Sequence, residues 1–104
     1  MLGENIPTPI AQTESQPSPL TVNMLGGEFA PKQLTIKKGT VVTFINLDRA
    51  RHTVTSDDRK FDSGVITSGQ SFTMTFDEVG AFPYYCDFHG GKGGVDMAGT
   101  IVVQ

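Results

Sequence analysis

The chain has little of several things that usually mark a function. It holds one cysteine, which excludes an internal disulfide and leaves a thiol that something else must occupy or bury. Its 104 residues carry only 8 lysines and arginines against 11 acidic residues, for a formal net charge of -3. Pairs such as Lys37-Lys38 and Arg49 to Arg51 are too scattered to neutralise a phosphate backbone, so nucleic acid is not an expected partner. No apolar run approaches the ~20 residues needed to span a bilayer. No apolar stretch follows Met1, so no signal peptide is expected in the sequence as it stands.

What is present points to one small domain. Residues 1–19 are rich in Pro, Ser, Thr and Gln and read as an extended tail, with a domain expected over residues 20–104. Such a tail suits a tether to a membrane anchor or to a neighbouring domain, and equally the remnant of a cleaved or trimmed precursor. From Leu20 onward the text breaks into short apolar or alternating segments: 20–24, 34–37, 40–47, 52–55, 71–76, 82–86 and 100–103. Gly26-Gly27, Lys38-Gly39 and Asp57-Asp58 supply turns between them, and no stretch has helical periodicity. The pattern predicts an all-β fold, an antiparallel sandwich or Greek-key barrel. Pro31 and Pro83 are expected at strand starts or edges, where a missing N–H is tolerated. Phe44, Phe72, Phe76, Phe82 and Tyr84 read as core.

The residues able to bind a metal are few and grouped. Cys86 and His89 form a C-x2-H pair, a glycine-rich stretch follows, and Met97 comes next. His52, the only other histidine, lies 34 residues before Cys86, at the start of a predicted strand. A thiolate, two imidazoles and a thioether make a trigonal set with a weak axial donor, which suits copper cycling between +1 and +2. A thioether is a poor reason to choose zinc.

From Phe61 the chain reads F-D-S-G-x4-G-x2-F-x-x-T-F-x3-G-x-F-x-Y-x-C-x2-H, then M-x-G-x-I-x-V. This closely resembles the blue copper proteins, or cupredoxins, of the plastocyanin and pseudoazurin type, over about residues 20–104. The resemblance implies a Greek-key β-sandwich of about eight strands with one copper ion at one end. It implies His52, Cys86 and His89 as equatorial ligands and Met97 as axial ligand. It further implies single-electron transfer to transient redox protein partners through the His89 ring edge, with Tyr85 as a second exit. A monomer in the periplasm or outside the cell follows from the same resemblance.

The sequence departs from that family at two points. Met97 lies eight residues after His89 where plastocyanin-like members usually have about five, so a longer and more open ligand loop is expected. Thr53 follows His52 where many members carry Asn, and its hydroxyl is expected to bridge the two ligand-bearing segments. An open copper would admit a small molecule such as nitric oxide, which makes a copper-dependent redox enzyme the alternative. Cys86 is flanked by Tyr85 and Asp87, so the histidine that wires multicopper relatives to a second copper is absent. A copper-binding or adhesive module with no redox role is the third reading.

Overall fold

The structure, a computed structural model, describes residues 20–104. The expected tail, residues 1–19, lies outside the described residues. Eight strands run through them with no helix: β1 (Leu20–Leu25), β2 (Glu28–Ala30), β3 (Gln33–Ile36), β4 (Thr40–Asn46), β5 (Thr55–Ser56), β6 (Ser71–Phe76), β7 (Gly80–Gly91) and β8 (Val95–Val103). They form two four-stranded sheets, ordered β2-β1-β4-β6 and β3-β8-β7-β5.

Each sheet contains one parallel pair, so the purely antiparallel arrangement is corrected. β1 runs parallel to β4, from Leu20 beside Val42 to Met24 beside Asn46, and β3 runs parallel to β8. The alternation of β4 explains the core: Thr40, Val42, Phe44 and Asn46 point inward, and the residues between them lie nearer solvent. Phe44, Phe76 and Tyr84 are buried between the sheets, with Phe72 and Phe82 packed against them. The rings of Phe29 and Phe44 meet Tyr84 edge to face, at centroid distances of 4.7 and 5.3 Å.

Two strands are far longer than the predicted segments 82–86 and 100–103. β7 spans 12 residues and β8 spans 9. Pro83 consequently lies inside β7 rather than at a strand start. Its carbonyl accepts from the Asp57 N–H at 3.0 Å, so its own nitrogen faces the flank just past the end of β5. Having no N–H, Pro83 cannot return the reciprocal bond to the Asp57 carbonyl, and β5 ends one residue earlier, at Ser56. The predicted strand 52–55 is also shifted. His52 makes only an isolated bridge to Ile66, and the strand proper is Thr55–Ser56.

Candidate metal centre

The site begins with the inward register of β4. Continuing the alternation Thr40, Val42, Phe44 puts Asn46 in the core, fully buried. A buried amide needs partners, and Asn46 finds them in the loop that follows. Its Nδ2 donates to the carbonyls of Ala50 (2.9 Å) and Ile66 (2.8 Å), and its Oδ1 accepts from the Asp48 N–H at 2.8 Å. This one side chain shapes residues 47–51 and delivers His52 to the end of the sandwich. Paired backbone bonds with Ile66, at 3.1 and 2.7 Å, then fix His52 in place.

His52 is only 1% exposed, and both of its ring nitrogens have partners. Nε2 lies 2.8 Å from Oδ2 of Asp48. The Asp48 carboxylate is itself held by the Gly26 and Gly27 amides, at 2.7 and 3.1 Å. Those amides are available because Gly26-Gly27 is a two-residue turn between β1 and β2, with φ of +67° and +71°, a conformation that favours glycine. Desolvation opposes ionisation of Asp48. The bonds from Gly27, Gly26 and His52 outweigh it and hold the carboxyl below the ordinary carboxylate range. Asp48 therefore fixes the proton on Nε2 and leaves Nδ1 free to bind a metal.

A group whose pKa is lowered by folding contributes stability above its unfolded value of about 4 and loses it as pH falls through the lower folded value. Acid unfolding of the metal-free protein is thus expected to begin at higher pH in wild type than in Asp48→Asn, measured relative to each protein's own stability at neutral pH by circular dichroism. Equal relative profiles would show that Asp48 contributes nothing.

The second segment is an irregularity between the two long strands. Tyr85 pairs with Ala98 and Gly90 pairs with Asp96, so Cys86 to His89 on β7 face the single residue Met97 on β8. Four residues opposite one produce a wide bulge, and the bulge carries Cys86 and His89 together. Cys86 is fully buried and Met97 is 2% exposed, both within the core cluster, whereas His89 is exposed. Beyond the bulge the strands close again. A Cβ on Gly90 would lie 2.2 Å from the Met97 carbonyl oxygen, so only glycine permits this approach.

The three donors converge. The ligand atoms of His52, Cys86 and His89 lie within 4.8 Å of one another. Nδ1 of His52 is 3.2 Å from Nδ1 of His89, and Sγ of Cys86 is 3.7 and 3.5 Å from those two nitrogens. Bonds of about 2.0 Å to nitrogen and about 2.3 Å to sulfur, meeting near 120° at one centre, generate a triangle of this size. Two imidazole nitrogens and a sulfur facing each other across that space fit a bound cation. Their softness and number suit copper. Thr53 ties the two segments: its N–H points at Sγ of Cys86 (3.4 Å), and its Oγ1 accepts from the Asp87 N–H (2.8 Å). The hydroxyl bridge expected of Thr53 is thus present.

The residues between His89 and Met97 do not form an open loop. Gly90 and Gly91 pair with Asp96 and Val95. The tip of this hairpin is anchored by a bond from the Gly93 N–H to Oδ2 of Asp57, at 2.9 Å. The added length is absorbed into a pinned hairpin, and His52, Cys86 and Met97 stay buried.

A cupredoxin-like domain family matches residues 6–103. The chain belongs to the cupredoxin-like family. It is 34% identical over 88 residues to a chloroplastic plastocyanin of Chlamydomonas reinhardtii, covering 74% of this chain and 59% of that protein's length. Among solved structures it is similar to a purple cupredoxin from Nitrosopumilus maritimus, with TM-score 0.70 and 26% identity over 82% of this chain and 99% of that one. It is also similar to part of a copper-containing nitrite reductase from Thermus scotoductus. That match has TM-score 0.76 and 28% identity, covering 92% of this chain but 27% of the enzyme.

Asn46, Asp48 and the Gly26-Gly27 turn shape the candidate site and lie beyond the reach of motif reading. One signal was available for each of the first two. Asn46 is a polar residue at a core position of an alternating strand, and Asp48 stands four residues before a histidine. The reach of the glycine turn to Asp48 has no sequence signal, since the two lie more than twenty residues apart.

Proposed function

We propose that this cupredoxin is a mononuclear type 1 copper protein that carries single electrons between redox partners, with His52, Cys86 and His89 as equatorial ligands and Met97 as axial ligand. The observation that carries the reading is the donor triangle of 3.2, 3.5 and 3.7 Å, buried except at His89. Copper bound there supplies a one-electron couple between its +1 and +2 states. The chain keeps the donors from moving as charge changes. Asn46 shapes the loop that presents His52, Asp48 holds the His52 ring, and Thr53 ties that segment to the strand bearing Cys86. A preorganised site has little to rearrange when an electron arrives.

His89 is the exposed edge of the site and the shortest way out for an electron. Tyr85, beside Cys86 and paired in register with Thr55 and Ala98 on the neighbouring strands, offers a second route. The transfer is to transient protein partners, by a monomer outside the cytoplasm, with residues 1–19 as a tether to the domain 20–104. No helix among the described residues is long and apolar enough to cross a membrane.

The copper-loaded protein is expected to show an intense thiolate-to-copper charge-transfer band in the visible and an EPR spectrum with narrow copper hyperfine splitting. A weak spectrum like that of aqueous copper would sink the ligand set. Met97→Leu tests the axial position separately. It is expected to raise the reduction potential and alter the spectrum, and if neither changes Met97 is not a ligand.

A second reading, a copper-dependent enzyme acting on a small molecule such as nitric oxide, draws on the similarity to part of the nitrite reductase. Mixing the oxidised protein with nitric oxide tests it, because no reduction of copper would leave it unsupported.

A further inference from the structure

The charge around the exposed ligand runs against the charge of the chain. The net charge of -3 would draw a basic partner. The loop that carries His52, however, presents Arg49 and Arg51 to solvent. The Arg51 guanidinium lies 4.5 Å from the centroid of the Phe88 ring, and Phe88, 43% exposed, stands 6.3 Å from the His89 ring. A fixed cation therefore sits one aromatic ring away from the exit ligand. The guanidinium held over that ring carries five N–H donors in a fork that matches carboxylates.

Two acids that flank the ligand-bearing segments are engaged elsewhere. Asp48 is engaged by the Gly26 and Gly27 amides and by His52. The Asp87 carboxylate accepts from the Thr55 hydroxyl on the β5 flank. Ion pairs between described acidic and basic side chains join His52 to Asp48, Arg59 to Asp62 and Lys60 to Glu78, and none involves Arg49 or Arg51. Apolar surface adjoins the arginines. Leu47 is 50% exposed and bonds through its N–H to the Met24 carbonyl, beside Leu25, which is 56% exposed.

We propose that the copper end docks protein partners that present carboxylates around an apolar centre, with Arg49 and Arg51 as the steering and gripping residues. The proposal rests on the electron-carrier reading and names the partner chemistry. The local field at His89, not the net charge, then sets the sign of the encounter.

The test uses small redox probes of opposite charge on the reduced, copper-loaded full chain. Each oxidant takes one electron from copper(I), giving copper(II) and the probe reduced by one unit. The rate with hexacyanoferrate(III), an anion, is expected to fall on the order of threefold to tenfold as ionic strength rises from about 10 mM to about 200 mM. The rate with tris(phenanthroline)cobalt(III), a cation, is expected to stay level or rise. The double variant Arg49→Glu/Arg51→Glu is expected to lose about tenfold in the low-salt hexacyanoferrate rate and to reverse its salt slope. Lys37→Glu/Lys38→Glu makes the same change in net charge at the far end of the sandwich, before β4 begins, and should leave that slope negative.

A hexacyanoferrate rate that rises with salt in wild type, or that responds equally to both double variants, overturns the proposal. Sedimentation velocity at low salt is expected to show a monomer. A salt-labile dimer abolished by Arg49→Glu/Arg51→Glu would overturn it too, since the arginines would then engage a second copy. Failure of every variant to react with either oxidant has a different meaning, because it removes the electron-carrier reading itself.

Discussion

Gly90→Ala is expected to cost about 3 kcal/mol of stability and to abolish or strongly weaken the copper charge-transfer band. A Cβ there would lie 2.2 Å from the Met97 carbonyl oxygen, 2.8 Å from its carbonyl carbon and 2.8 Å from the Val95 oxygen. All three are backbone atoms of the opposing strand, so no side-chain rotation relieves the clash. β7 and β8 must separate just where Met97 faces the bulge that carries Cys86 and His89. Thermal denaturation of the metal-free protein should show a fall of roughly 10–20 °C in Tm. Gly91→Ala is the control: its Cβ meets only the Val95 Cβ at 3.8 Å, an ordinary contact, and a change within about 0.5 kcal/mol is expected. Similar behaviour of the two variants would show that the strand approach at Gly90 is unimportant to fold and site.

Asp48→Asn is expected to weaken copper binding by about 10- to 100-fold and to raise the reduction potential. The carboxylate accepts three bonds, from Gly26, Gly27 and His52, and an amide cannot replace it. Whichever way the asparagine side chain is turned, its NH2 group faces one of those donors. The substitution also removes a negative charge next to a ligand, which weakens the binding of Cu(II) more than that of Cu(I). Each tenfold of that preference raises the potential by about 59 mV for a one-electron couple. Competition titration with a copper chelator reads the affinity, and voltammetry reads the potential. A stable variant with wild-type affinity and potential would show that Asp48 only closes the Gly26-Gly27 turn. Asp48→Glu, which keeps the charge, is expected to retain much of the potential even where its longer stem costs affinity.

Much of this site was legible before any fold was known, and for a chemical reason. Metal ligands are few, their side-chain types are restricted, and here the chain has one cysteine and two histidines to offer. Short range helped as well: Cys86, His89 and Met97 lie within twelve residues, so their spacing itself reports on geometry. The aromatic residues assigned to the core are packed there, because strand alternation fixes the face on which each side chain emerges.

Other features were not legible, because they depend on which strands become neighbours. β7 and β8 run well past the segments that residue propensities mark, since pairing extends them through Gly90, Gly91 and Val95. Glycines that read as an open loop are instead the residues small enough to let a hairpin close. The two parallel pairs could not be read either, since each joins strands whose connection crosses between the sheets.

By itself the sequence determined the class of fold that brings His52 to Cys86, and it offered the candidate donors and the metal they suit. These follow from side-chain chemistry and from periodicities that operate within a few residues. Tertiary structure decided what surrounds the candidate donors: Asp48 clamped by a distant glycine turn, the eight-residue span to Met97 folded into a pinned hairpin, and Arg51 held over Phe88 beside the His89 ring. Each of these is a contact between segments far apart in the chain, and only the packed sandwich sets the distances that create it.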